Sequence, residues 1–487
     1  MDLDSFQLDV LAAFDRWQGR GIYADDMGGR KTATTLTWLE RTDNVRTVLI
    51  IVPKQVHVDH WIAEAHDWTD RFVIERGMGS KRLGNLHGHL GPFIYVTTYA
   101  SARIDQLDLR MQKFDAVVFD EGHALKGRTT QVAKMANQLA KAQHCLIVTG
   151  TPVMNKPEEM WQYLRMLYPK DYRSYWRWVE EHFNISFANF DKTHPWNQTK
   201  IIGGYLEGHE QIVRAQLSGC IIQREIATLF PGEVWVEEPE FSTFPVEMRP
   251  KERTLYDHLV EKGWGKTPTG VILTRNALTV QTRLRQLVSD WSTLDDEYAA
   301  GAKAEFAIED IAKWHADVKR PVIVFTSFVK TAHLLAAGLA ESGMNAVAFT
   351  GQENGMHRKL ILDEYKRGKV DCIVGTYAAM SEGLDGLQYK TNLMALYDLD
   401  WVPGIVDQAI GRLKRSGQTW RVLVRHYFYM NSIEQAILNA NLRKINMVNY
   451  LKNRDVSDIV YGHLMYTPRK EGVKRNDDIL LVEGWDK

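Results

Sequence analysis

"YADDMGGRKTAT", residues 23–34, has the make-up of a phosphate-gripping loop with one residue out of place. Such a loop needs backbone N–H groups aimed at phosphate oxygens, a lysine for the outer phosphates and a hydroxyl for magnesium. Lys31 and Thr32 supply the last two, and "TATTLTWLE" continues as a helix whose amino end favours an anion. Gly28 and Gly29 give the backbone freedom. Arg30 stands where close approach to phosphate favours glycine, although an arginine is itself a phosphate binder. Taken alone, "GGRKT" reads equally well as an ordinary helix start after a turn, so its surroundings decide.

"FDAVVFDEGHALKG" (residues 114–127) puts Asp120 and Glu121 just past a buried strand, where an open α/β sheet presents ligand-binding groups. An aspartate there can hold magnesium, and the adjacent glutamate can activate water for attack on a γ-phosphate. "LIVTGTPVMN" repeats the arrangement, with Thr149 and Thr151 at the end of the next strand. Further on, "DQAIGRLKRSGQT" spaces Arg412 and Arg415 at i and i+3, predicting one helix face. They read either as a solvated stripe or as arginine fingers reaching across a cleft to a transferring phosphoryl group.

The chain has 487 residues, too many for one core, with 45% hydrophobic and 25% charged residues. Its formal net charge of -1 excludes a generally basic protein, so a polyanionic partner would need local basic patches. Cys145, Cys220 and Cys372 have no paired spacing, and buried thiols are expected. The acidic amino terminus lacks a signal peptide's positive flank, and no apolar run is long enough to span a bilayer, as in a cytoplasmic chain. His57 and His60 lack the further ligands a metal site needs. Trp176 and Trp178 are expected to pack, not to stack on bases.

Short β-branched runs alternate with helical patterns in two series, the signature of parallel sheets covered on both faces. The fold class expected is α/β: a first lobe over residues 1–170 and a second over 301–455. Between them lie a helical insertion with a connector (171–240) and a second helical insertion (241–300), and a charged tail follows at 456–487.

The ordered motifs resemble the ATPase motor of superfamily 2 helicases of the Swi/Snf type. They include "FQLDVL", "ADDMGGRKT", "IIVPKQVHVDHW", "VTTYAS", "DEGHALKG", "IIQREIATLFP", "SEGLDGL" and "SIEQAI", spread from Phe6 to about Ile437. The family loop reads D-E-M-G-x-G-K-T, so Asp26 and Arg30 are departures. The resemblance implies two RecA-like lobes, ATP and Mg2+. It implies a nucleotide loop of Asp25, Asp26, Met27, Gly28, Gly29, Arg30, Lys31 and Thr32, adenine reading by Gln7, and a last motif of Gln408, Arg412 and Arg415. Thr32 and Asp120 would hold the metal, and His123, Thr149, Thr151, Glu382 and Gly383 would couple nucleotide to movement. DNA-backbone contacts fall on Lys54, Gln55, Thr97, Thr98, Tyr99, Thr326, Ser327 and the "SEGLD" loop. The implied activity is DNA-stimulated ATP hydrolysis driving translocation on duplex or branched DNA. The alternatives are a strand-separating helicase and a non-hydrolysing DNA-binding module whose loop decayed at Arg30. A monomer in the cytoplasm of a bacterium, or of a bacteriophage's host, is the default.

Overall fold

β-branched and apolar runs can bury both faces of a strand, and the chain uses them to build two parallel sheets. The structure, a computed structural model, describes residues 3–79, 82–87, 89, 91–153, 155–188, 199–230, 238–274, 276–380, 386–415 and 417–452. Among them, residues 3–187 with 200–230 and 447–452 form one unit, and residues 238–446 with 188 and 199 another. The expected tail, Glu382 and Gly383 lie outside the described residues.

In the first unit, strands β1 (Arg20–Tyr23), β2 (Thr47–Val52), β3 (Val73–Arg76), β4 (Phe93–Thr98), β5 (Ala116–Asp120) and β6 (His144–Val148) run parallel. Strands β7 (Phe183–Ala188) and β8 (Thr199–Tyr205) pair apart as a two-stranded sheet, and β9 (Ile221–Ile222) completes the order β3-β4-β2-β5-β6-β1-β9. Alternation with period two sorts the strand side chains onto two faces. Leu49, Ile51, Phe119 and Ile147 enter one core, while Val48, Ile50, Val118 and Leu146 enter the other with Trp38. Each such side chain contributes about 1.5–3 kcal/mol by burial. All three cysteines are free and buried, and Trp178 is buried with its indole N–H donated to Gln216 Oε1 at 3.0 Å.

The second unit orders its six strands β10-β17-β16-β13-β15-β14. These are β10 (Glu240–Val246), β13 (Val322–Thr326), β14 (Ala346–Phe349), β15 (Cys372–Thr376), β16 (Leu393–Leu396) and β17 (Leu423–Tyr429). A small antiparallel hairpin, β11 (Trp264–Lys266) with β12 (Val271–Leu273), stands apart from it.

Two expectations are corrected here. Residues 171–240 are not simply helical, because Phe183, Ile185 and Phe187 alternate with period two and form β7, and Ile221–Ile222 joins the first sheet. The second sheet begins at Glu240, well before residue 301. Pro245 and the polar residues around it mask β10, and an edge strand tolerates both. Among the described residues no helix is long and apolar enough to cross a membrane.

Candidate nucleotide site

The loop leaves the carboxyl end of β1 and closes on itself before helix α2 (Lys31–Arg41) begins. Gly29 N–H donates to Asp26 O at 3.1 Å, Tyr23 Oη donates to Gly29 O at 3.1 Å, and Gly28 takes φ +87°, a conformation that favours glycine. Four of the first seven residues of α2 are threonine, a poor helix former. Thr34, Thr35 and Thr37 return their hydroxyls to the carbonyls of Arg30, Lys31 and Ala33, while Ala33, Leu36, Trp38 and Leu39 bury the inner face.

Beneath the loop, the carboxylate of Asp25 is wholly buried and gripped by both prongs of Arg224, at 3.2 and 2.7 Å. Burial pushes this carboxyl up, and Arg224 pulls it back. Asp26 binds the same segment, receiving Ile226 N–H on Oδ2 at 3.2 Å and donating its own N–H to Arg224 O at 3.0 Å. Arg224→Met would leave a buried carboxylate without its cation, so we expect it to destabilise the unit by about 3 kcal/mol. Urea unfolding followed by hydrogen exchange of the residues 20–35 segment reads that loss.

Lys31 is half-buried and donates its ammonium to the carbonyls of Asp25 and Asp26, at 2.7 and 2.8 Å. Burial lowers its pKa, while Glu121, Asp25, Asp26 and Asp120 oppose the shift. A Cβ added at Gly150 would lie 3.8 Å from Lys31 Nζ, so the loop after β6 closes directly over the lysine. Trp61, on helix α3 (Gln55–Trp68), donates its indole N–H to Asp120 Oδ2 at 2.8 Å, and Tyr99 Oη donates to Asp120 O at 2.8 Å. Glu121 sits in the left-handed region at φ +48°, with His123 Nδ1 3.1 Å and Thr149 Oγ1 3.4 Å from Oε2. Gly122 is forced by packing, since a Cβ there would stand 2.3 Å from Ile147 Cγ2. Burial and the Glu121 charge raise the Asp120 carboxyl against the pull of Trp61 and Lys31. Glu121 goes the other way: burial is outweighed by His123, Lys31 and His57, which hold it ionised. Lys31, Asp120, Glu121, His123 and Thr149 thus converge at one sheet edge. Thr151, buried, donates its N–H to Thr149 Oγ1 at 3.2 Å.

Several predicted residues sit otherwise than expected. Arg30 does not aim its side chain at the loop interior; its guanidinium pairs with Asp4 at 2.8 Å and lies 5.4 Å from the Phe230 ring centroid. Gln7 is fully buried and spends its amide on Asp4 N–H and Thr34 Oγ1. Thr97, Thr98, Tyr99 and Thr326 are buried, their hydroxyls committed within their own units, so their side chains offer no face to a phosphate. Thr326 Oγ1 and Ser327 N–H both serve Asp398, at 2.7 Å each, and Ser327 is half-buried. Lys54 and Gln55 remain exposed beyond β2. Gln408 is buried on the helix Pro403–Ile410, but that helix ends there with Gly411 as its cap. Arg412 and Arg415 therefore lie in the turns that follow, not on one helical face. Trp61, Arg224, Asp4 and Phe230 went unread, although each falls in or beside a motif already noted.

The SNF2-related domain family matches residues 6–293, and the helicase conserved C-terminal domain matches residues 303–417. The chain belongs to the SNF2-related family. This SNF2-related chain is 24% identical to the uncharacterized ATP-dependent helicase YqhH of Bacillus subtilis, over 91% of its own length and 78% of that protein. It is 23% identical to the mouse DNA annealing helicase and endonuclease ZRANB3, over 90% of its length but only 40% of that relative. In fold it is similar to the Pyrococcus furiosus Hef helicase domain, with a TM-score of 0.51 at 16% identity, covering 89% of this chain and 97% of that one. The matched domains are those of ATP-hydrolysing helicase-family enzymes, and the two parallel sheets are their RecA-like lobes.

Among the described residues no group of three or more His, Cys, Asp or Glu could hold a metal alone. Magnesium needs no such group, since it keeps most of its waters and takes one or two protein oxygens beside substrate phosphates. Asp120, its ionised form disfavoured by burial and by Glu121, is a carboxylate that a dication would relieve.

Proposed function

We propose that the chain is a DNA-stimulated ATP hydrolase that uses the cycle to translocate on, or remodel, duplex or branched DNA. The convergence of Lys31, Asp120, Glu121 and Thr149 at one sheet edge carries this reading. In it, Lys31 exchanges the Asp25 and Asp26 carbonyls for the outer phosphates of ATP, and the first-turn N–H groups of α2 receive the anion. Asp120 and Thr32 would hold Mg2+, which neutralises phosphate charge when bound. Glu121, held ionised and oriented by His123 and Thr149, accepts the proton of the attacking water. Arg412 and Arg415 supply positive charge to the transferring group, and His123, Thr149 and Thr151 relay the state of the site. Lys54 and Gln55 are the exposed candidates for phosphate contacts with DNA. The name of the mouse relative, a DNA annealing helicase, supports DNA as the partner.

Steady-state ATP turnover with and without duplex DNA tests this, with Lys31→Ala as the blank. DNA should raise turnover of the natural chain and leave the variant at background. Equal turnover in both would sink the proposal. Displacement of a triplex-forming strand without duplex unwinding is expected of a translocase, and unwinding of the duplex itself would favour strand separation.

A further inference from the structure

Arg30 is the residue that most departs from a phosphate loop, and its surroundings explain how the loop keeps its shape. Its backbone is left-handed, φ +49° and ψ +36°, and it is the amino cap of α2. An L-residue other than glycine is strained there, by about 1 kcal/mol or more. Something must hold it, and a closed circuit does. Arg30 Nη1 donates to Asp4 Oδ2 at 2.8 Å, and Asp4 N–H donates to Gln7 Oε1 at 3.0 Å. Gln7 Nε2 donates to Thr34 Oγ1 at 2.9 Å, and Thr34 Oγ1 donates to Arg30 O at 2.9 Å. The Thr34 N–H reaches the same Arg30 carbonyl at 3.1 Å. The guanidinium also lies over Phe230, whose ring meets Phe6 edge-on at a centroid distance of 5.0 Å. Asp4 and Gln7 belong to the start of helix α1 (Ser5–Arg16), so the circuit ties that helix to the loop.

We propose that Arg30 is a positioning residue for the nucleotide: tethered to Asp4 and Phe230, it fixes the left-handed turn that aims the first-turn N–H groups of α2. The inference rests on the reading that this loop binds ATP. Where a glycine would let the loop sample several backbone states, the tethered arginine selects one. The guanidinium is engaged by Asp4 and Phe230. It acts through the backbone of residue 30, which directly precedes Lys31, and the tether is partly exposed, so its effect on global stability is small.

The test is ATP turnover of the full-length chain at saturating duplex DNA, with KM and kcat resolved separately. Arg30→Ala keeps the strain and loses the tether, so KM for ATP should rise about five- to tenfold with kcat nearly unchanged. Asp4→Ala should raise KM less, and Arg30→Lys should recover part of the loss. Asp4→Ala placed in the Arg30→Ala background should add nothing further. Additive effects, an unchanged KM in Arg30→Ala, or a lower KM in Arg30→Gly than in the natural chain would each overturn the inference. Failure of the natural chain to exceed Lys31→Ala in turnover would instead overturn the underlying ATP reading.

Discussion

Glu121→Gln is expected to lower ATP turnover by about a hundredfold or more while ATP binding stays within about twofold. The side chain is nearly isosteric, so the effect isolates the proton acceptor from the fold. At Glu121 burial is opposed and outweighed by His123, Lys31 and His57, which hold the carboxylate ionised. Asp120 beside it is pushed the opposite way by burial and by the Glu121 charge itself. Two adjacent acids driven apart in this manner divide the labour: the ionised one can take a proton, and the other is available to a cation. A glutamine cannot accept the proton of water, yet it keeps the contact to Thr149 and the left-handed backbone that presents it. Single-turnover hydrolysis beside equilibrium binding of ATP reads the two effects separately. Hydrolysis within tenfold of the natural chain would remove Glu121 from the role of base.

The two lobes were legible because each strand's requirement is local: an apolar run of about five residues, buried on both faces, such as "TVLIIV" or "CIVGT". Two edge strands were not, although the edge run "NAVAFT", which holds Ala346–Phe349, was. Val73–Arg76 and Glu240–Val246 are half-exposed and take polar residues and a proline, because one side of them lacks a partner strand. In the candidate site, the grouping of Lys31, Asp120 and Glu121 could be read from residue type and from their places, a glycine-bearing loop for the lysine and the end of an apolar strand for the acids. Their supports could not. Arg224 is 199 residues from the Asp25 it grips, and Trp61 is 59 from Asp120, distances over which spacing in sequence carries no register. Arg30 shows the same limit at short range. Its residue type suggested a phosphate ligand or a lesion, and only the position of Asp4 and Phe230 tells that its side chain leaves the loop altogether.

Lys303→Met should destabilise the second unit by about 3–5 kcal/mol, the scale seen when one partner of a buried ion pair is removed. Lys303 is wholly buried, with its ammonium 2.5 Å from Glu434 Oε1 and 4.5 Å from the Tyr397 ring centroid. The other Glu434 oxygen receives the Tyr429 N–H at 2.8 Å. The Tyr429 hydroxyl accepts the Lys303 N–H and donates to Glu252 Oε1, both at 3.0 Å, and Ala302 N–H reaches that same oxygen at 3.1 Å. The ammonium thus ties helix Ala302–Val318 to the start of helix Ile433–Lys452, while the backbone N–H groups of Ala302 and Lys303 and the Tyr429 hydroxyl at the end of β17 link it to Glu252 on helix Pro250–Lys262. The site tolerates no second charge of that sign: burial first, and Lys303 next, lower the pKa of His426 to about 3 and keep it neutral. Burial pushes Glu434 up to about 7 despite the pull of Lys303, and removing the lysine raises it further. An acid whose folded pKa exceeds its unfolded value stabilises below the unfolded pKa, and that stability is lost as pH rises through the folded value. The deficit of Lys303→Met should therefore be smaller at pH 5 than at pH 8. The double variant Lys303→Met, Glu434→Leu, which removes both charges, should recover most of the loss. Urea unfolding at the two pH values, with hydrogen exchange assigning the transition to residues 238–446, measures both effects; a deficit independent of pH and not recovered by the double variant would mean that packing, not charge, sets the cost.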